Sequence, residues 1–510
     1  MTTLPDWLVP LPSAQAMREA DRCAIEELGI PGLRLMESAA EALAEGVLEV
    51  APDGRVLVVA GKGNNGGDGL ATARLLRARG REVDVIASCP PDEWRGDSAE
   101  MLKQLLGDQP GQLSDAGGKY SCVVDCLLGT GASGAPSGKV LDGINLINAL
   151  GGEGSTVVSC DIPSGVDAST GEVQGAAVRA DLTVTFHAMK PGLWIRPGKG
   201  FAGAVTVADI GIPNSVEAEA SIGLINDSVV RSLPQRTESD DKFSVGSVTV
   251  VGGSPGLTGA PMLAALGAAR AGAGYVTAAL PKALLAASDA QLEVMGLGLA
   301  DQDGSHCVEG VGEVASRSGV GRALVLGPGL GRSTQAQAAA RAVVQQAEGP
   351  VVVDADGLSA FAQSPALLSK TDAELVLTPH VGEIGALLGR QREEIEEARL
   401  QSALELAALA KAVVVLKGDD TLVATPDGKV AVSEGNSPAL ATAGSGDVLS
   451  GVIGALLARG AEAFQAACAG VVIHLEAGRV AAGDGSEGVI AGDIAAALPA
   501  GRRRLETADR

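Results

Sequence analysis

Short apolar runs alternate with helical patterns along the first part of the chain. Apolar residues recur with helical spacing over Ser13–Leu28, Leu33–Val50 and Leu70–Arg79. The apolar runs between and after these segments are short and bounded by turn residues, which is typical of buried parallel strands. They predict strands at Arg55–Ala60, Glu82–Ala87, Cys122–Leu127, Thr156–Cys160, Leu182–Phe186 and Ala204–Ala208. This alternation indicates an α/β fold, a Rossmann-like three-layer sandwich built on a doubly wound sheet.

A second cycle of strands and helices follows a polar stretch, Arg231–Lys242. The stretch carries a proline and several acidic residues, and it is typical of a linker. Strands are predicted after it at Ser247–Val251, Tyr275–Ala279, Ala323–Leu326, Val351–Asp354, Leu375–Thr378, Ala412–Lys417 and Thr421–Ala424. A chain of 510 residues is too long for one ordinary domain. We therefore predict two α/β domains, residues 1–225 and residues 226–510, which are not repeats of one another.

Composition and charge narrow the functional classes. Hydrophobic residues make up 46% of the chain and aromatic residues only 2%, which predicts cores of Ala, Val, Leu and Ile. The formal net charge of -23 repels nucleic acid and anionic membrane surfaces, so neither is expected as a partner. Seven scattered cysteines without a CxxC pair, and an opening without a signal-peptide pattern, favour free thiols in the cytoplasm. The longest weakly polar stretch, Met262–Leu280, predicts a buried helix followed by a strand and not a membrane span.

The segment Gly61–Gly69 carries more polar groups than a structural turn needs. It lies between a predicted strand and a predicted helix, where a glycine-rich loop presents backbone N–H groups to a phosphate. Its glycine spacing, with Asp84 in the position of a ribose-binding acid, matches the dinucleotide fingerprint. That match is weak because the chain contains 70 glycines, and it leaves Asn64, Asn65 and Asp68 without a role.

Two further predicted strands end in acidic residues, Asp125 and Asp161, and Ser164 follows the second. Ligands of an open parallel sheet bind beyond the carboxyl ends of its strands. Together with Asn65, these residues form an oxygen-rich set that suits a hard cation. The alternative is that the two aspartates are only turn or cap residues. Three strand ends of one domain with such residues favour a site.

These segments resemble the N-terminal half of the YjeF family, the NAD(P)H-hydrate epimerases, over residues 10–215. The matching segments are Met17–Asp21, Gly29–Met36, Gly61–Gly69, Val124–Asp125, Asp161–Gly165 and Thr185–Gly192. The resemblance implies that a hydrated nicotinamide nucleotide is held by Asn64, Asn65, Gly66, Gly67, Asp68, Gly129, Thr130, Gly131, Ala132, Ser133, Gly134, Ala135 and Asp161. It also implies a potassium ion bound by Asn65, Asp125 and Ser164.

The implied reaction makes chemical sense for such groups. The substrate hydroxyl lies on a carbon next to the ring nitrogen, so loss of hydroxide gives a cation that the nitrogen stabilises. Return of hydroxide from the other face inverts the centre. We hypothesise that Asp125 is the catalytic carboxylate that carries the proton.

The most informative segment of the second domain is Ala443–Asp447, which opens a predicted helix, Val448–Arg459. Successive backbone N–H groups at a helix start form an anion hole. Asp447 is placed to accept the proton of a hydroxyl that attacks a phosphoryl group. The pattern resembles the ribokinase-like superfamily, and the sequence has no GxxxxGK[ST] P-loop.

Other loops of the second domain extend this resemblance to the NAD(P)H-hydrate dehydratases, over residues 235–500. They are Gly252–Ser254, Gly259–Pro261, Gly327–Gly331, Val353–Gly357, Thr378–Glu383 and Val415–Thr421. The resemblance implies contacts to the hydrate from Ala260, Gly329, His380 and Asp447. It implies contacts to ADP, with Mg²⁺ bound near Val353–Gly357, from Lys417, Gly418, Asp419, Asp420, Thr421 and Gly446. His306 and His474 are predicted to be structural or surface-exposed.

The sequence is interpreted as a bifunctional repair enzyme. The first domain interconverts the R and S hydrates of NADH and NADPH, and the second dehydrates the S form with ADP, giving AMP and phosphate. The choice of ADP rests on the resemblance alone, as does an expected homo-oligomer of four or more chains. The alternatives are a ribokinase-like small-molecule kinase fused to a nucleotide-binding module, and a first domain that serves only as a nucleotide sensor.

Overall fold

The computed structural model describes residues 4–105, 109–213, 216, 219–435 and 437–507. Residues 1–3 and 508–510, at the outer ends of the two predicted domains, lie outside the described residues. The chain divides into two compact units. The first contains Pro10–Ile222, and the second contains Pro5–Val9 together with Gly223–Arg510.

Strands and helices alternate along residues 8–208. The strands are β1 (Leu8–Pro10), β2 (Val56–Ala60), β3 (Val83–Ala87), β4 (Gly111–Gln112), β5 (Cys122–Cys126), β6 (Thr156–Cys160), β7 (Leu182–Phe186) and β8 (Ala204–Ala208). The helices are α1 (Ala14–Arg22), α2 (Gly32–Val50), α3 (Asn64–Ala78), α4 (Gly96–Gln104), α5 (Gly138–Gly152) and α6 (Lys199–Ala202). A short π-helix, Cys23–Glu27, continues α1 where the sequence pattern predicts a regular α-helix.

The first unit is a parallel sheet covered on both faces. Its strand order is β4-β3-β2-β5-β6-β7-β8. Alternate residues of β2 enter different cores: Val56 and Val58 pack with α2 and α3, whereas Leu57 and Val59 pack with α5. Because a strand buries both faces only when helices lie on each side, the predicted three-layer arrangement is confirmed.

The second unit contains the remaining elements of the described chain. The strands are β9 (Ile222–Ile225), β10 (Ser247–Val251), β11 (Tyr275–Pro281), β12 (Met295–Leu299), β13 (Asp301–Gln302), β14 (Ser305–His306), β15 (Arg322–Leu326), β16 (Val351–Val353), β17 (Leu375–Leu377), β18 (Val413–Leu416), β19 (Leu422–Ala424) and β20 (Val430–Val432). The helices are α7 (Ser228–Arg231), α8 (Gly259–Ala271), α9 (Val311–Ala315), α10 (Thr334–Gln346), α11 (Asp356–Ser359), α12 (Val381–Leu388), α13 (Arg392–Glu397), α14 (Arg399–Ala410), α15 (Ser445–Ala458), α16 (Ala463–Ala482) and α17 (Ala491–Thr507).

The main sheet of the second unit has the order β1-β9-β20-β19-β18-β17-β16-β15-β10-β11-β12. The neighbouring pairs from β12 through β11, β10, β15, β16 and β17 to β18 are parallel, and the pairs β18–β19 and β19–β20 are antiparallel. Helices α8, α15, α16 and α17 pack on one another, and α8 and α15 also contact the strands. The N-terminal strand β1 lies beside β9 and extends this sheet.

Every strand predicted from an apolar run is present, with ends that differ by at most two residues. The prediction for Met262–Leu280 is also correct, because α8 and β11 occupy it. No helix within the described ranges is long and apolar enough to cross a membrane. The strands that the pattern missed, such as β4 and β12, are short or contain glycine, and pairing with a neighbouring strand decides their structure.

Two helices begin earlier than predicted. Helix α3 starts at Asn64, inside the segment predicted as a loop, and α15 starts at Ser445. Glycine lowers helix propensity, but here it permits close packing. A Cβ at Gly67 would lie 2.8 Å from Met36 Sδ, and a Cβ at Gly66 would collide with the carbonyl oxygen of Gly61. Tertiary packing therefore stabilises a helix start that propensity alone disfavours.

Candidate active sites

A cavity of about 760 Å³ lies beyond the carboxyl ends of β2, β3, β5 and β6 in the first unit. It has the size and position of a ligand site in an open parallel sheet. Its wall includes eight of the residues predicted to hold the substrate: Asn64, Asn65, Asp68, Gly129, Thr130, Gly131, Ala132 and Asp161.

The other predicted substrate residues lie off this wall. Gly66 and Gly67 are buried and pack against the protein behind it. Ser133 and Gly134 line an adjacent small pocket of about 20 Å³, and Ala135 is exposed and lines neither pocket. The structure thus brings together the start of α3 and the first half of the Gly129–Ala135 loop.

An ion pair between Asp161 and Lys190 lies in the wall of this cavity. Lys190 Nζ donates to Asp161 Oδ1 (2.7 Å), to Thr185 Oγ1 (2.7 Å) and to the carbonyl oxygen of Phe186 (2.8 Å). Asp161 has a left-handed backbone, with φ of 66°, and accepts hydrogen bonds from the hydroxyl and the backbone N–H of Thr130. Burial alone would raise the pKa of Asp161, but Lys190 and Thr130 outweigh it and hold that pKa below its ordinary value. The Asp161 carboxylate is therefore ionised beside the cavity.

Asp68 and Asp21 add two carboxyl groups to the same wall. Asp68 is 8% exposed, and within the described residues its carboxyl group makes no hydrogen bond. Burial raises its pKa well above the ordinary value, and the charges of Asp161 and Asp21 raise it further. The pKa of Asp21 is raised to about 6, by burial first and then by Asp161, while Lys190 opposes the shift. The raised pKa of Asp68 and the lowered pKa of Asp161 give this wall two carboxyl groups with separated pKa values, which is the arrangement of an acid and a base.

Asp125 and Ser164 lie behind the cavity wall, and Asn65, on that wall, is connected to them through Leu128. Asp125 Oδ1 accepts from Ser164 Oγ (2.6 Å), and Asp125 Oδ2 accepts from Ser164 N (2.8 Å) and Ser159 Oγ (3.0 Å). Asn65 Nδ2 donates to the carbonyl oxygen of Leu128, which Ser164 Oγ also contacts at 3.3 Å. Asp125 is fully buried, and burial raises its pKa although these hydrogen bonds oppose the shift. Asp125 does not reach the cavity wall, so its position does not suit contact with a substrate there.

Sequence reasoning missed Lys190 and Asp21, and the weak fingerprint match at Asp84 does not extend to the cavity. Asp84 accepts from Tyr120 Oη (2.9 Å) and pairs with Arg55 (2.5 Å) near the start of β3, away from the cavity. The dinucleotide fingerprint therefore does not describe this site. A lysine in the otherwise apolar run before Pro191 was a usable signal for Lys190, because buried lysine is rare without a partner. Asp21 falls on the buried face of α1, four residues after Met17.

In the second unit, a cluster of acidic side chains surrounds Lys417. Lys417 Nζ donates to Asp354 Oδ1 (3.0 Å) and lies 3.8 Å from Glu383 Oε2. Burial alone would lower the pKa of Lys417, but Asp354 and Glu383 outweigh it and raise that pKa. Ala355 follows Asp354 with φ of 48° and ψ of -121°, an unusual backbone for a residue with a Cβ. This turn directs Asp354 to Lys417 and Asp356 to the backbone N–H of Gly331, at 3.0 Å.

Asp447 lies in the first turn of α15, next to this cluster. The residue before the helix, Gly444, has a left-handed backbone with φ of 87°. Burial raises the pKa of Asp447 to about 7, with a further contribution from Asp354, while Lys417 opposes the shift. A Cβ at Gly446 would lie 3.3 Å from Lys417 Nζ, so the helix start and the lysine are in close approach. A carboxyl group with a pKa near 7 is suited to accept a proton at neutral pH.

Of the residues predicted to contact the hydrate, His380 lies beside the Lys417 cluster, whereas Gly329 and Ala260 pack against each other. His380 precedes α12, and its Nδ1 accepts from the backbone N–H of Gly382 (2.9 Å). His380 Nε2 lies 3.5 Å from Glu383 Oε1, which connects it to the Lys417 cluster. Gly329 packs against Ala260, because a Cβ at Gly329 would lie 3.3 Å from Ala260 Cβ.

The turn Lys417–Thr421 joins β18 to β19 and is held from behind. Arg399 forms a buried ion pair with Asp420, with distances of 2.9 Å from Nε and 2.8 Å from Nη2. Thr421 Oγ1 donates to the carbonyl oxygen of Gly418 (2.7 Å), whereas Asp419 is exposed. Asp420 therefore has a positioning role in the turn, and the turn presents Lys417 and its backbone groups on the other side.

The chain matches two protein families in succession. Residues 32–192 match the family described as YjeF-related protein N-terminus. Residues 248–500 match the family described as NAD(P)H-hydrate dehydratase. Among solved structures, an ADP/ATP-dependent NAD(P)H-hydrate dehydratase from Bacillus subtilis, co-crystallised with ATP/Mg²⁺, is 27% identical, with a TM-score of 0.48. The match covers 55% of this chain and 98% of that one.

Several relatives match along almost the whole chain. The bifunctional NAD(P)H-hydrate repair enzyme Nnr of Moorella thermoacetica is 39% identical over 97% of this chain and 97% of its own. Enzymes of the same description from Salinibacter ruber (37% identical, 90% of each chain) and Escherichia coli (33% identical, 95% of this chain and 92% of its own) are similar too. On these matches the chain belongs to the bifunctional NAD(P)H-hydrate repair enzymes, with the epimerase in its first unit and the dehydratase in its second.

Proposed function

We propose that the cavity of the first unit holds the hydrated nicotinamide ring and that Asp68 and Asp161 perform the epimerisation. The observation that carries this proposal is the pairing of a hydrogen-bonded, ionised Asp161 with a buried Asp68 of raised pKa on one cavity wall. Asp68 donates its proton to the hydroxyl beside the ring nitrogen, and the hydroxyl leaves as water. Asp161 stabilises the resulting ring cation by its negative charge.

Water then adds to the other face of the ring, and the proton that it releases returns to Asp68 through the solvent in the cavity. Atoms and charge balance, and the carbon centre is inverted. This assignment replaces Asp125 as the proton carrier, because Asp125 is enclosed and lies behind the wall. The loop residues Asn64, Asn65 and Gly129–Ala132 are proposed to hold the nucleotide.

We propose that Asn65, Asp125 and Ser164 bind potassium. Asp125 is a fully buried carboxylate whose contacts are all to neutral groups, so a monovalent cation would compensate its charge. The amide, hydroxyl and carboxylate oxygens around Leu128 are hard donors that suit such an ion. When bound, potassium would supply positive charge and fix the Asn65 and Leu128 loops that border the cavity.

We propose that the second unit dehydrates the S hydrate by phosphorylating it. Asp447 accepts the proton of the substrate hydroxyl as its oxygen attacks the terminal phosphoryl group of ADP, and AMP leaves. The ring nitrogen then expels phosphate, and the adjacent ring carbon loses a proton to give the reduced nucleotide. Ala260, Gly329 and His380 are proposed to hold the hydrate, and the turn Lys417–Thr421 with Gly446 to hold the nucleotide.

The acidic side chains around Lys417 also suit a magnesium ion that binds together with the nucleotide. Within the described residues, no group of three or more His, Cys, Asp or Glu side chains is arranged to hold a metal ion by itself. Magnesium in nucleotide sites needs only one or two carboxylates, because the phosphates and water complete its shell. Asp354 or Asp356 would provide such a ligand, and the ion would supply charge compensation for the phosphates.

The test is incubation of the full-length protein with purified R or S hydrate, with ADP or ATP. Return of the absorbance of the reduced nicotinamide, with AMP and phosphate as products, supports the proposal. Accumulation of a phosphorylated small molecule without that return supports a kinase instead. A purified R hydrate that stays unchanged without nucleotide would indicate that the first unit is only a sensor. The homo-oligomer and the cytoplasmic location remain predictions.

A further inference from the structure

A buried histidine lies behind the helix start that carries Asp447. His474 is on α16, is 6% exposed, and stands between Ile473 and Leu475 in an apolar, alanine-rich helix. An imidazole ring in such surroundings costs free energy unless its polar atoms have partners. The partner here is Ser445, whose Oγ lies 3.2 Å from His474 Nε2.

Ser445 is the first residue of α15 and is buried. Its hydroxyl faces the interior and not the solvent, so it is not placed to act as a nucleophile. The preceding Gly444 is left-handed and offers the helix no side-chain cap. His474, on α16, contacts this first turn at Ser445, and Gly446 and Asp447 follow in the same turn.

The pair adjoins the charged groups of the site. Lys417 Nζ lies close to Gly446, the residue after Ser445, and the charge of Lys417 lowers the pKa of His474. Burial, with a smaller contribution from Lys417, lowers the pKa of His474 to about 4, while the backbone of Ser445 opposes the shift. The ring is therefore neutral at physiological pH, and one of its two tautomers accepts the hydroxyl proton of Ser445 at Nε2.

We propose that His474 is a positioning residue of the dehydratase. Its hydrogen bond with Ser445 fixes the first turn of α15, so that the Gly444–Gly446 amides and Asp447 meet the transferring phosphoryl group in one arrangement. This inference rests on the proposed role of Asp447. Because the arrangement matters most when the phosphoryl group is in transfer, loss of the bond affects kcat more than the KM for ADP.

The experiment compares His474→Leu, His474→Gln and Ser445→Ala in the full-length enzyme. Leucine removes the hydrogen bond, whereas the amide of glutamine reaches the position of Nε2. We expect kcat of dehydration to fall on the order of tenfold in His474→Leu and Ser445→Ala, with KM for ADP within about twofold. His474→Gln should recover most of the loss. The double variant His474→Leu/Ser445→Ala should be no slower than the worse single variant, because both remove one bond.

Two controls accompany these variants. Epimerase activity, measured in the same preparations, should not change. Ser402→Ala removes a buried hydroxyl that bonds only to its own helix, through Ala398 O at 2.8 Å, and should leave dehydration unaltered.

Equal losses in His474→Gln and His474→Leu would overturn the inference, as would additive effects in the double variant or a Ser445→Ala enzyme with full kcat. A fall confined to the melting temperature would also overturn it, since the pair would then be structural. A wild-type enzyme without ADP-dependent dehydration would instead contradict the proposed function itself.

Discussion

The two units each place one lysine among several carboxylates, but they use it differently. In the first unit, Lys190 is 1% exposed and all three of its N–H groups have partners, in Asp161, Thr185 and Phe186. In the second, Lys417 is 21% exposed and makes one hydrogen bond, to Asp354. An ammonium group has three donors, so Lys417 retains donors for a further acceptor and Lys190 does not.

This difference supports the proposed role of Lys417 in binding the nucleotide and assigns none of that kind to Lys190. Lys190 keeps Asp161 ionised, and its saturated contacts suit a reaction in which only water and a proton move. Lys417 can turn a free N–H group towards a phosphate, which suits a reaction that consumes a nucleotide. In both units a second aspartate at a glycine-rich helix start, Asp68 or Asp447, has a raised pKa.

The largest expected effect is that of Asp447→Asn. An amide cannot accept the hydroxyl proton, so we expect dehydration to fall by about 10²- to 10⁴-fold. Epimerisation should be unchanged, because Asp447 belongs to the other unit. Rates are measured from nicotinamide absorbance with the S hydrate and from R-to-S conversion without nucleotide. Parallel losses of both activities would contradict separate sites.

Substitution of Lys190 and substitution of Lys417 should have different effects on stability and on kinetics. Lys190→Met leaves Asp161 buried without its cation, which costs about 3–5 kcal/mol of folding free energy when one partner of a buried pair is removed. We expect epimerisation to fall about 100-fold and the melting temperature of the first unit to fall too. Calorimetry and epimerase kinetics test this.

Lys417→Met is the matched variant of the second unit. We expect a rise of about tenfold in the KM for ADP, because a charged hydrogen bond to phosphate is lost. Epimerisation should be unaffected. A Lys417→Met enzyme with normal KM and reduced stability would show that the two lysines serve the same structural purpose.

The pH dependence of dehydration provides a further distinction. A base must be ionised to act, and the pKa of Asp447 is raised to about 7. We therefore expect kcat/KM for dehydration to fall as the pH drops below about 7 and to level off above it. Because Lys417 opposes the raised pKa, Lys417→Met should move this limb to higher pH. A limb at the pKa of an ordinary aspartate would be inconsistent with Asp447 as the base.

The smallest expected effect concerns potassium. Asp125→Asn removes the buried negative charge that would bind the ion. We expect epimerisation to fall about fivefold and to lose its response to added potassium chloride, with sodium chloride as the ionic-strength control. If Asp125→Asn kept the full response to potassium, the proposed ion site would be wrong.

Most of the fold follows from the apolar pattern, because the central strands are buried on both faces and read as unbroken runs. β1 and β9 could not be found in this way, since a strand of three or four residues is stabilised by its neighbour and not by its own sequence. The start of α3 was missed for a similar reason. Glycines that look like a loop in sequence become helical when Met36 and Gly61 pack against them.

The sequence predicted the outline of the site in the first unit, whereas the direction in which each aspartate faces came from the structure. Strand ends located Asp125 and Asp161 correctly as neighbours of one sheet edge. The sequence pattern could not say that Asp125 turns inward to Ser159 and Ser164 while Asp161 faces a cavity, because both follow the same kind of strand. The contact of His474 with Ser445 joins residues 29 positions apart, so the sequence pattern could not reveal it.

The position of β1 affects how the two units can be separated by proteolysis or by separate expression. The chain passes between the two units after Val9 and again after Ile222. A protease that cuts after Val9 leaves the two enzymes covalently joined at Ile222, whereas a cut after Ile222 leaves β1 attached to the epimerase while it pairs with β9 of the separated chain. A gene that begins at the second crossing encodes a dehydratase without β1, with the edge of β9 left open to pairing with other chains. Expressing the two enzymes separately therefore requires joining the residues of β1 to the dehydratase. β1 precedes the epimerase in the sequence but belongs to the sheet of the second unit.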